Sequence, residues 1–318
     1  MKQKTFKTLD EQVEILKNKG LTIDDELLAK HILLRENYFF FSGYRHLFLK
    51  SETDKTFIPG TNFREVYGLF LFDRQLRNII FKNILIVENN LKSITAYVIS
   101  KNHGYKDTDY LNASIYSKDG KKRRQINDLL KKMSRQIRIN GVKHTATEHY
   151  LTNYEFVPLW IGVKVLSFGI ISELYTILQK EDQKEIADIL NIDVYDLLDY
   201  LPILANYRNL CAHEDLCYEH RTQTIINDTK YHSLLNIPKM NGEYIYGKND
   251  LFSLIIILKK LLSDSDINTL INELSYEIDY LSGKLKTINI NKVLDLMGFP
   301  KNFREISRLW KWIIIKKL

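Results

Sequence analysis

Proline and glycine are scarce in this sequence, 5 and 13 among 318 residues. So little turn punctuation excludes collagen-like and low-complexity chains and points to long uninterrupted segments, which are usually helices. The two cysteines, Cys211 and Cys217, cannot build a disulfide framework. No apolar run reaches the 18 or so residues that a membrane-spanning helix needs, and the nearest, 251–262, is broken by Lys259 and Lys260. The opening MKQKTFKTLDEQ has no apolar h-region, so the sequence carries no visible secretory signal. A cytoplasmic protein that does not engage membranes is the expectation. Hydrophobic residues make up 45% and charged residues 27%, the range of ordinary globular proteins. The charge balance is +7, from 46 Lys and Arg against 39 Asp and Glu. Such an excess favours an anionic partner where it is clustered.

Apolar spacing places helices along most of the chain. Leu9, Val13 and Leu16, then Leu27, Leu28, Ile32 and Leu33, mark two helices separated by a turn at Gly20, the second starting near Thr22–Asp25. The aromatic segment YFFFSGYRHLFL (38–49) and the loop SETDKTFIPGTNF (51–63) follow. From a Thr61 N-cap to about Asn102, apolar residues recur every three or four positions, which predicts a spine of roughly 60 Å at 1.5 Å per residue. A polar insertion (104–153) separates this spine from VPLWIGVKVLSFGIISELYTIL (157–178), read as one buried helix with Pro158 in its first turn. A polar helix over 181–190 comes next, then a helix over 194–221 restarted at Pro202. Two more fit 249–263 and 266–282, and the tail contains MGFPKNFREISRLWKW, apolar enough to dock on the body. The expected fold is all-α: an N-terminal helical extension (1–60), a helical core (61–285) carrying the basic insertion, and a docking tail (286–318).

The insertion is the cluster that the charge balance requires. SKDGKKRRQINDLLKKMSRQIRIN holds nine Lys or Arg against two Asp. Lys121, Lys122, Arg123, Arg124, Lys131, Lys132, Arg135 and Arg138 alternate with Leu129, Leu130 and Met133 at helical spacing, giving an amphipathic helix with a cationic face. A solvated face is the plain alternative. The density of charge favours phosphate binding, with Tyr105, Tyr110 and Tyr116 upstream as stacking platforms for unpaired bases.

The sharpest local feature is Tyr207-Arg208-Asn209-Leu210-Cys211-Ala212-His213. Arg presents a permanently charged fork that matches phosphate oxygens, and His gives and takes protons near neutrality. RNA supplies its own nucleophile, the 2′-hydroxyl, so Arg and His suffice to cut it without a metal or cofactor. Five residues put Arg208 and His213 about 140° apart on a straight helix, whereas Asn209 and His213 share a face. A bend, a long reach of Arg208, or a second chain across a two-fold axis must then complete such a site. Arg and His at this spacing also occur by chance. A rival reading takes Cys211, His213, Cys217 and His220 as zinc ligands, with His213, Cys217 and His220 on one helical face. The roughly 10.5 Å rise from His213 to His220 prevents one helix from closing a tetrahedral site. Two free buried thiols are the plain account of the cysteines. For Gly43-Tyr44-Arg45, an RNA or interface contact competes with a tight aromatic packing turn, which is preferred. The tail 309–318 mixes Trp, Ile and Lys in a way that suits a membrane, but docking on the protein is favoured over so short a span.

With these segments in view, the chain resembles the AbiD/AbiF-type abortive-infection proteins of the HEPN superfamily. The resemblance rests on FFFSGYRHLFL, FIPGTNFREVYGLFLFDRQLRNIIFKNILIVENNLKS, YEFVPLWIGVKVLSFGIISELY, RNLCAHEDLCYEHR and MGFPKNFREI, and so runs over most of the length. It implies a HEPN bundle with a metal-independent endoribonuclease site, often at a homodimer interface, and a place in phage defence, in some members with a small noncoding RNA. By the resemblance, Arg208 and His213 take the catalytic positions, Asn209 the supporting polar one, and Glu88 an acidic one facing the site. The sequence departs from its relatives at Leu216, where many have Arg, and at Asp215, where toxins modified on Tyr carry that residue. His220 and Arg221 are the nearby cations, and Arg221 joins the expected RNA-binding set.

Overall fold

The structure is a computed structural model that describes residues 5–141 and 143–309. Helices α1 (Leu9–Asn18) and α2 (Glu26–Glu36) pack as a pair, joined by a turn in which Gly20 takes φ +88°. Thr8 and Glu11 form a capping box at α1, and Asp25 accepts from the Leu28 amide at α2. Helix α3 (Tyr38–Gly43) brings the aromatic segment to α4 (Phe63–His103), where Phe41 stacks on Phe63 at 4.6 Å. Helix α4 is the expected spine, 41 residues long. Its N-cap is Asn62, whose side chain accepts from the Arg64 amide, and Thr61 instead donates to the Ile58 carbonyl. Gly104 at φ +96° ends it.

The remaining helices wrap this spine. They are α5 (Asp107–Tyr110), α6 (Arg123–Gly141), α7 (Thr145–Tyr154), α8 (Leu159–Val165), α9 (Phe168–Ile177), α10 (Lys180–Leu190) and α11 (Val194–Ala212). After them come α12 (Lys230–Leu234), a hairpin of β1 (Lys239–Met240) and β2 (Glu243–Tyr244), α13 (Leu251–Leu261), α14 (Asp264–Lys284) and α15 (Ile290–Met297). Helices α8, α10, α11, α13 and α14 all pack on α4. The expected all-α architecture is therefore what forms. Leu251 to Leu258 are buried without exception, so α13 is apolar all round because protein encloses it on every side. No described helix is long and apolar enough to cross a membrane.

Four expectations need correction. The 157–178 segment is two helices, because Ser167 breaks it and caps α9 through the Ile170 amide. Helix α11 does not restart at Pro202 but runs through it. The missing hydrogen bond costs about 3 kcal/mol. Burial of Leu197, Leu201, Ile203 and Leu204 on either side of Pro202 offsets that at roughly 1.5–3 kcal/mol each. The same helix ends at Ala212 rather than near 221. Tyr110 and Tyr116 are not stacking platforms: both are buried, with Tyr110 donating to the Val157 carbonyl (2.9 Å) and Tyr116 to the Tyr110 carbonyl (2.6 Å). The apolar face of α6 (Ile126, Leu129, Leu130, Met133, Ile137) likewise belongs to the core, packed on α8 and α9.

Met297, Phe299, Phe303 and Ile306 are buried, while residues 310–318 lie outside the described residues. Gly298 ends α15 at φ +72°, where a Cβ would run into the Asp250 carboxylate. That carboxylate caps α13, accepting from the Ser253 amide (3.0 Å) and the Gly247 amide (2.9 Å). Gly298→Ala should therefore cost about 1–3 kcal/mol of strain, measured as a lower urea midpoint. An unchanged midpoint would show that this junction does not constrain the fold.

Candidate active site

The Arg-Asn-x-x-x-His stretch closes helix α11 against the middle of α4. Tyr207 and Leu210 are buried toward the core, while Asn209 and His213 are exposed one turn apart on the other side. Helix α11 stops because Glu214 adopts the left-handed conformation (φ +57°), and the Asp215 amide turns back to the Leu210 carbonyl at 3.1 Å. His213 is the C-cap residue, and its imidazole has no hydrogen-bond or ion-pair partner among the described residues.

Arg208 points sideways to α4. Its Nε lies 3.4 Å from Glu88 Oε2, and its guanidinium sits over the Phe81 ring at 5.6 Å. Glu88 is buried and also receives Lys92 Nζ at 2.7 Å, so one carboxylate holds two cations. Only Nε of Arg208 is committed; its two terminal nitrogens have no partner among the described residues. The structure thus brings Glu88 and Arg208 together and sets Asn209 beside His213. It does not bring Arg208 and His213 into contact, as the 140° offset anticipates.

A second group was missed in the sequence. Asp73 on α4 is wholly buried and accepts four hydrogen bonds. They come from Tyr44 (2.7 Å), Arg77, the Cys217 amide (3.1 Å) and the Tyr218 amide (2.7 Å). Arg77 also donates to the Asp215 carbonyl at 3.3 Å. Burial pushes the Asp73 carboxyl above its ordinary value, while Arg77 and the other donors pull it back. This cluster pins the loop that leaves His213. Tyr44 is therefore a packing residue, as preferred, but one with a polar task. The signal was available: Asp73 and Arg77 are charges at i and i+4 within the apolar stripe of Leu69, Leu76 and Ile80.

Close by, His46 pairs with Glu219 at 2.8 Å, and that hydrogen bond raises the imidazole above its usual value. His220 bonds to Asn206 at 2.6 Å, and burial lowers its pKa. The helical face proposed for zinc does not form, because the helix ends before Cys217 and His220. Cys211 and Cys217 are buried free thiols, and no cluster of three or more potential ligands occurs among the described residues.

The expected cationic face of α6 is present, but its members differ. Lys122 donates to the Thr176 carbonyl (2.7 Å), Lys132 pairs with Glu173 (3.3 Å), and Arg124 lies 3.8 Å from Asp128. Lys121, Arg123, Lys131, Arg135 and Arg138 are exposed without such partners among the described residues. Lys131, Arg135 and Arg138 border one cavity of about 720 Å³ with Leu111, Asn127 and Ser134. Arg221 spends one donor on the Leu296 carbonyl at 2.7 Å.

The Abi-like protein family matches residues 31–219, more than half of the chain, from α2 to the end of the loop held by Asp73. The chain belongs to this abortive-infection family. No curated protein and no solved structure matches it. The matched segment of this Abi-like protein contains Tyr44, Asp73, Arg77, Glu88, Arg208, His213 and Tyr218, so both clusters fall within it.

Removing the Asp73 carboxylate would strand the buried Arg77 charge, a change that typically costs about 3–5 kcal/mol. Asp73→Ala should therefore lower the unfolding free energy by that order in urea denaturation, and Asp73→Asn by less. Equal, negligible losses in both would mean that the loop after His213 is held by packing alone.

Proposed function

We propose that this Abi-like protein is an endoribonuclease of the HEPN type, cutting RNA in abortive-infection defence without a metal. The observation that carries the reading is the arrangement at the end of α11. Arg208 is anchored through Nε by Glu88, leaving both terminal nitrogens for a phosphate, and His213 stands exposed and unpartnered one and a half turns on. In the reaction, the 2′-oxygen attacks the adjacent phosphorus and the bond to the 5′-oxygen breaks. His213 takes the proton from the 2′-hydroxyl or delivers one to the leaving oxygen. Arg208 offsets the charge that grows on the phosphoryl oxygens. Products carry 2′,3′-cyclic phosphate and 5′-hydroxyl ends. Because one chain keeps Arg208 and His213 apart, a homodimer that pairs two motifs is the assembly this chemistry favours. Asn209, on the same face as His213, orients the substrate. A noncoding RNA that controls the enzyme would use the same cationic surface.

The test is purified protein on labelled RNA in the presence of EDTA, with end-group analysis of the products. His213→Ala and Arg208→Ala should each reduce cleavage by at least about 100-fold, the usual share of acid–base catalysis or of one transition-state donor. If His213→Ala cuts as fast as the parent, the motif serves packing and the protein is a non-catalytic RNA-binding module.

The cationic face of α6 makes a separate prediction. Replacing Lys131, Arg135 and Arg138 with Gln removes up to three phosphate contacts, which flattens the salt dependence of single-strand binding by about 2 log units per log unit of salt. Cleavage at saturating RNA should hardly change. An unaltered slope would place the RNA path elsewhere.

A further inference from the structure

Of the three tyrosines upstream of α6, Tyr105 alone stays at the surface, and the fold surrounds it with rings from a later part of the chain. The Leu159 amide donates to the Tyr105 carbonyl at 3.0 Å, which sets the start of α8 beside the turn after Gly104. Tyr105 then packs on Trp160 at 5.4 Å and on Phe156 at 5.9 Å. Glu155, left-handed at φ +61°, ends α7 and turns the chain so that Tyr154 meets Phe156 at 6.4 Å. Tyr150, one helical turn earlier, lies 5.3 Å from Tyr154. The five rings form one continuous strip.

Packing accounts for these rings only in part. Tyr154, Trp160 and Tyr105 are 54%, 45% and 41% exposed, unlike the buried Tyr110 and Tyr116 of the same region. The hydroxyls of Tyr105, Tyr150 and Tyr154 and the indole N–H of Trp160 have no hydrogen-bond partner among the described residues. Those of Tyr110 and Tyr116 both donate to carbonyls. Lys106 Nζ sits 5.2 Å from the centre of the Phe156 ring. Charge along the strip is otherwise balanced, with Lys106, Lys143 and Lys164 against Asp107, Asp109, Glu148 and Glu155. Such a surface does not gather phosphates. It suits nucleobases, whose flat uncharged faces stack on aromatic rings and whose edges can use the spare donors.

The cations that gather phosphates lie next to it. A Cβ on Gly162 of α8 would stand 3.4 Å from Ile137 of α6 and 3.4 Å from the Tyr110 hydroxyl, so α8 is pressed against α6 one residue before Arg138. From Tyr105 the chain runs through α5 to Leu111, which borders the cavity of Lys131, Arg135 and Arg138. These three cations span about 10 Å of α6. The cationic face and the aromatic strip are therefore neighbours, joined by α5 and α8.

We propose that Tyr150, Tyr154, Phe156, Tyr105 and Trp160 form a base-stacking platform for single-stranded RNA, taking unpaired bases of a strand whose phosphates run along Lys131, Arg135 and Arg138. The choice of RNA rests on the endoribonuclease reading. The stacking requires unpaired bases, so the platform selects single strands over duplexes, whose bases are already stacked on one another.

The test measures binding rather than cleavage. A fluorescein-labelled strand of 2′-O-methyl uridine, about 15 nucleotides long and so enough for a single-strand site, has no 2′-hydroxyl to attack and stays intact whether or not the protein is a nuclease. Trp160→Ala and Tyr154→Ala, both at the surface, should each weaken its binding about 5- to 150-fold. The salt slope should not change, because no phosphate contact is lost. Trp160→Phe keeps an aromatic face and should retain most of the affinity, whereas Trp160→Leu keeps only apolar bulk and should not. In a chain with Trp310→Phe and Trp312→Phe, the strand should quench the emission of Trp160, a readout that leaves the strip intact. Parent-like binding by Trp160→Ala, an unquenched Trp160 with the strand bound, or a duplex bound as tightly as the single strand would each overturn the proposal. Full affinity in Trp160→Leu would assign the strip to apolar docking of a protein and also sink it. A parent that binds the strand yet never cuts unmodified RNA would remove the nuclease reading and leave the platform standing. A parent that cuts RNA while Trp160→Ala binds unchanged would do the reverse.

Discussion

A single buried carboxylate holds the candidate site in place. Asp73 is enclosed on α4 beneath the loop that follows the motif, and a charge so placed is costly unless it is fully partnered. Its four donors come from three parts of the chain: Tyr44 after α3, Arg77 one turn along α4, and the amides of Cys217 and Tyr218 after α11. Each donor offsets part of the cost of burying the carboxylate, so losing any one leaves the charge less well compensated. The N-terminal segment and the loop beyond His213 are therefore coupled through α4, although 144 residues separate Asp73 from Cys217. The apolar neighbours reinforce this. Tyr44 packs edge-on against Phe70 at 5.2 Å and lies over Tyr218 at 6.0 Å, so the ring that donates to Asp73 is held on both sides.

Much of this fold is legible from spacing alone. The spine, the enclosed helix α13 and the amphipathic helix α6 are all written in the positions of their apolar residues, and each forms close to where its period predicts. Where the reading fails, a local polar group outweighs the period. Ser167 satisfies the first amides of α9 and so divides a run whose hydrophobicity looks continuous. Pro202 suggests a break that burial on both sides overrides. The end of α11 depends on Glu214 turning left-handed and on Asp73 collecting the next amides, and no residue type near 213 announces either. Tyr110 and Tyr116 illustrate the limit of composition: a tyrosine in a polar stretch reads as exposed until a buried carbonyl claims its hydroxyl.

The candidate site itself is only half visible in sequence. Arg208, Asn209 and His213 stand out as a motif, and Glu88 enters by resemblance, but Lys92 and the Asp73 cluster emerge from packing. The two clusters differ in how far their arginines reach solvent. Asp73 and Arg77 are sealed from solvent and satisfied, a structural pair. Glu88 is buried as deeply, yet one of its partners, Arg208, keeps about a third of its side chain accessible.

That difference bears on how an arginine can serve an incoming anion while already paired. Glu88 accepts Lys92 at 2.7 Å, and both are largely buried, so this is the tighter of its two contacts. The longer contact to Arg208, through Nε alone, fixes the plane of the guanidinium without consuming its fork. Two cations around one carboxylate leave a local charge of +1, so Glu88 does not cancel Arg208 but orients it. A lysine at 208 would lose that arrangement, since an ammonium cannot give one nitrogen to Glu88 and offer a planar pair to a phosphate. The aromatic face of Phe81 beneath the guanidinium adds a second constraint on its plane. Under the proposed reading, pre-orientation of this kind would lower the ordering cost of binding a phosphate, because Glu88 and Phe81 already restrict the guanidinium in the free protein.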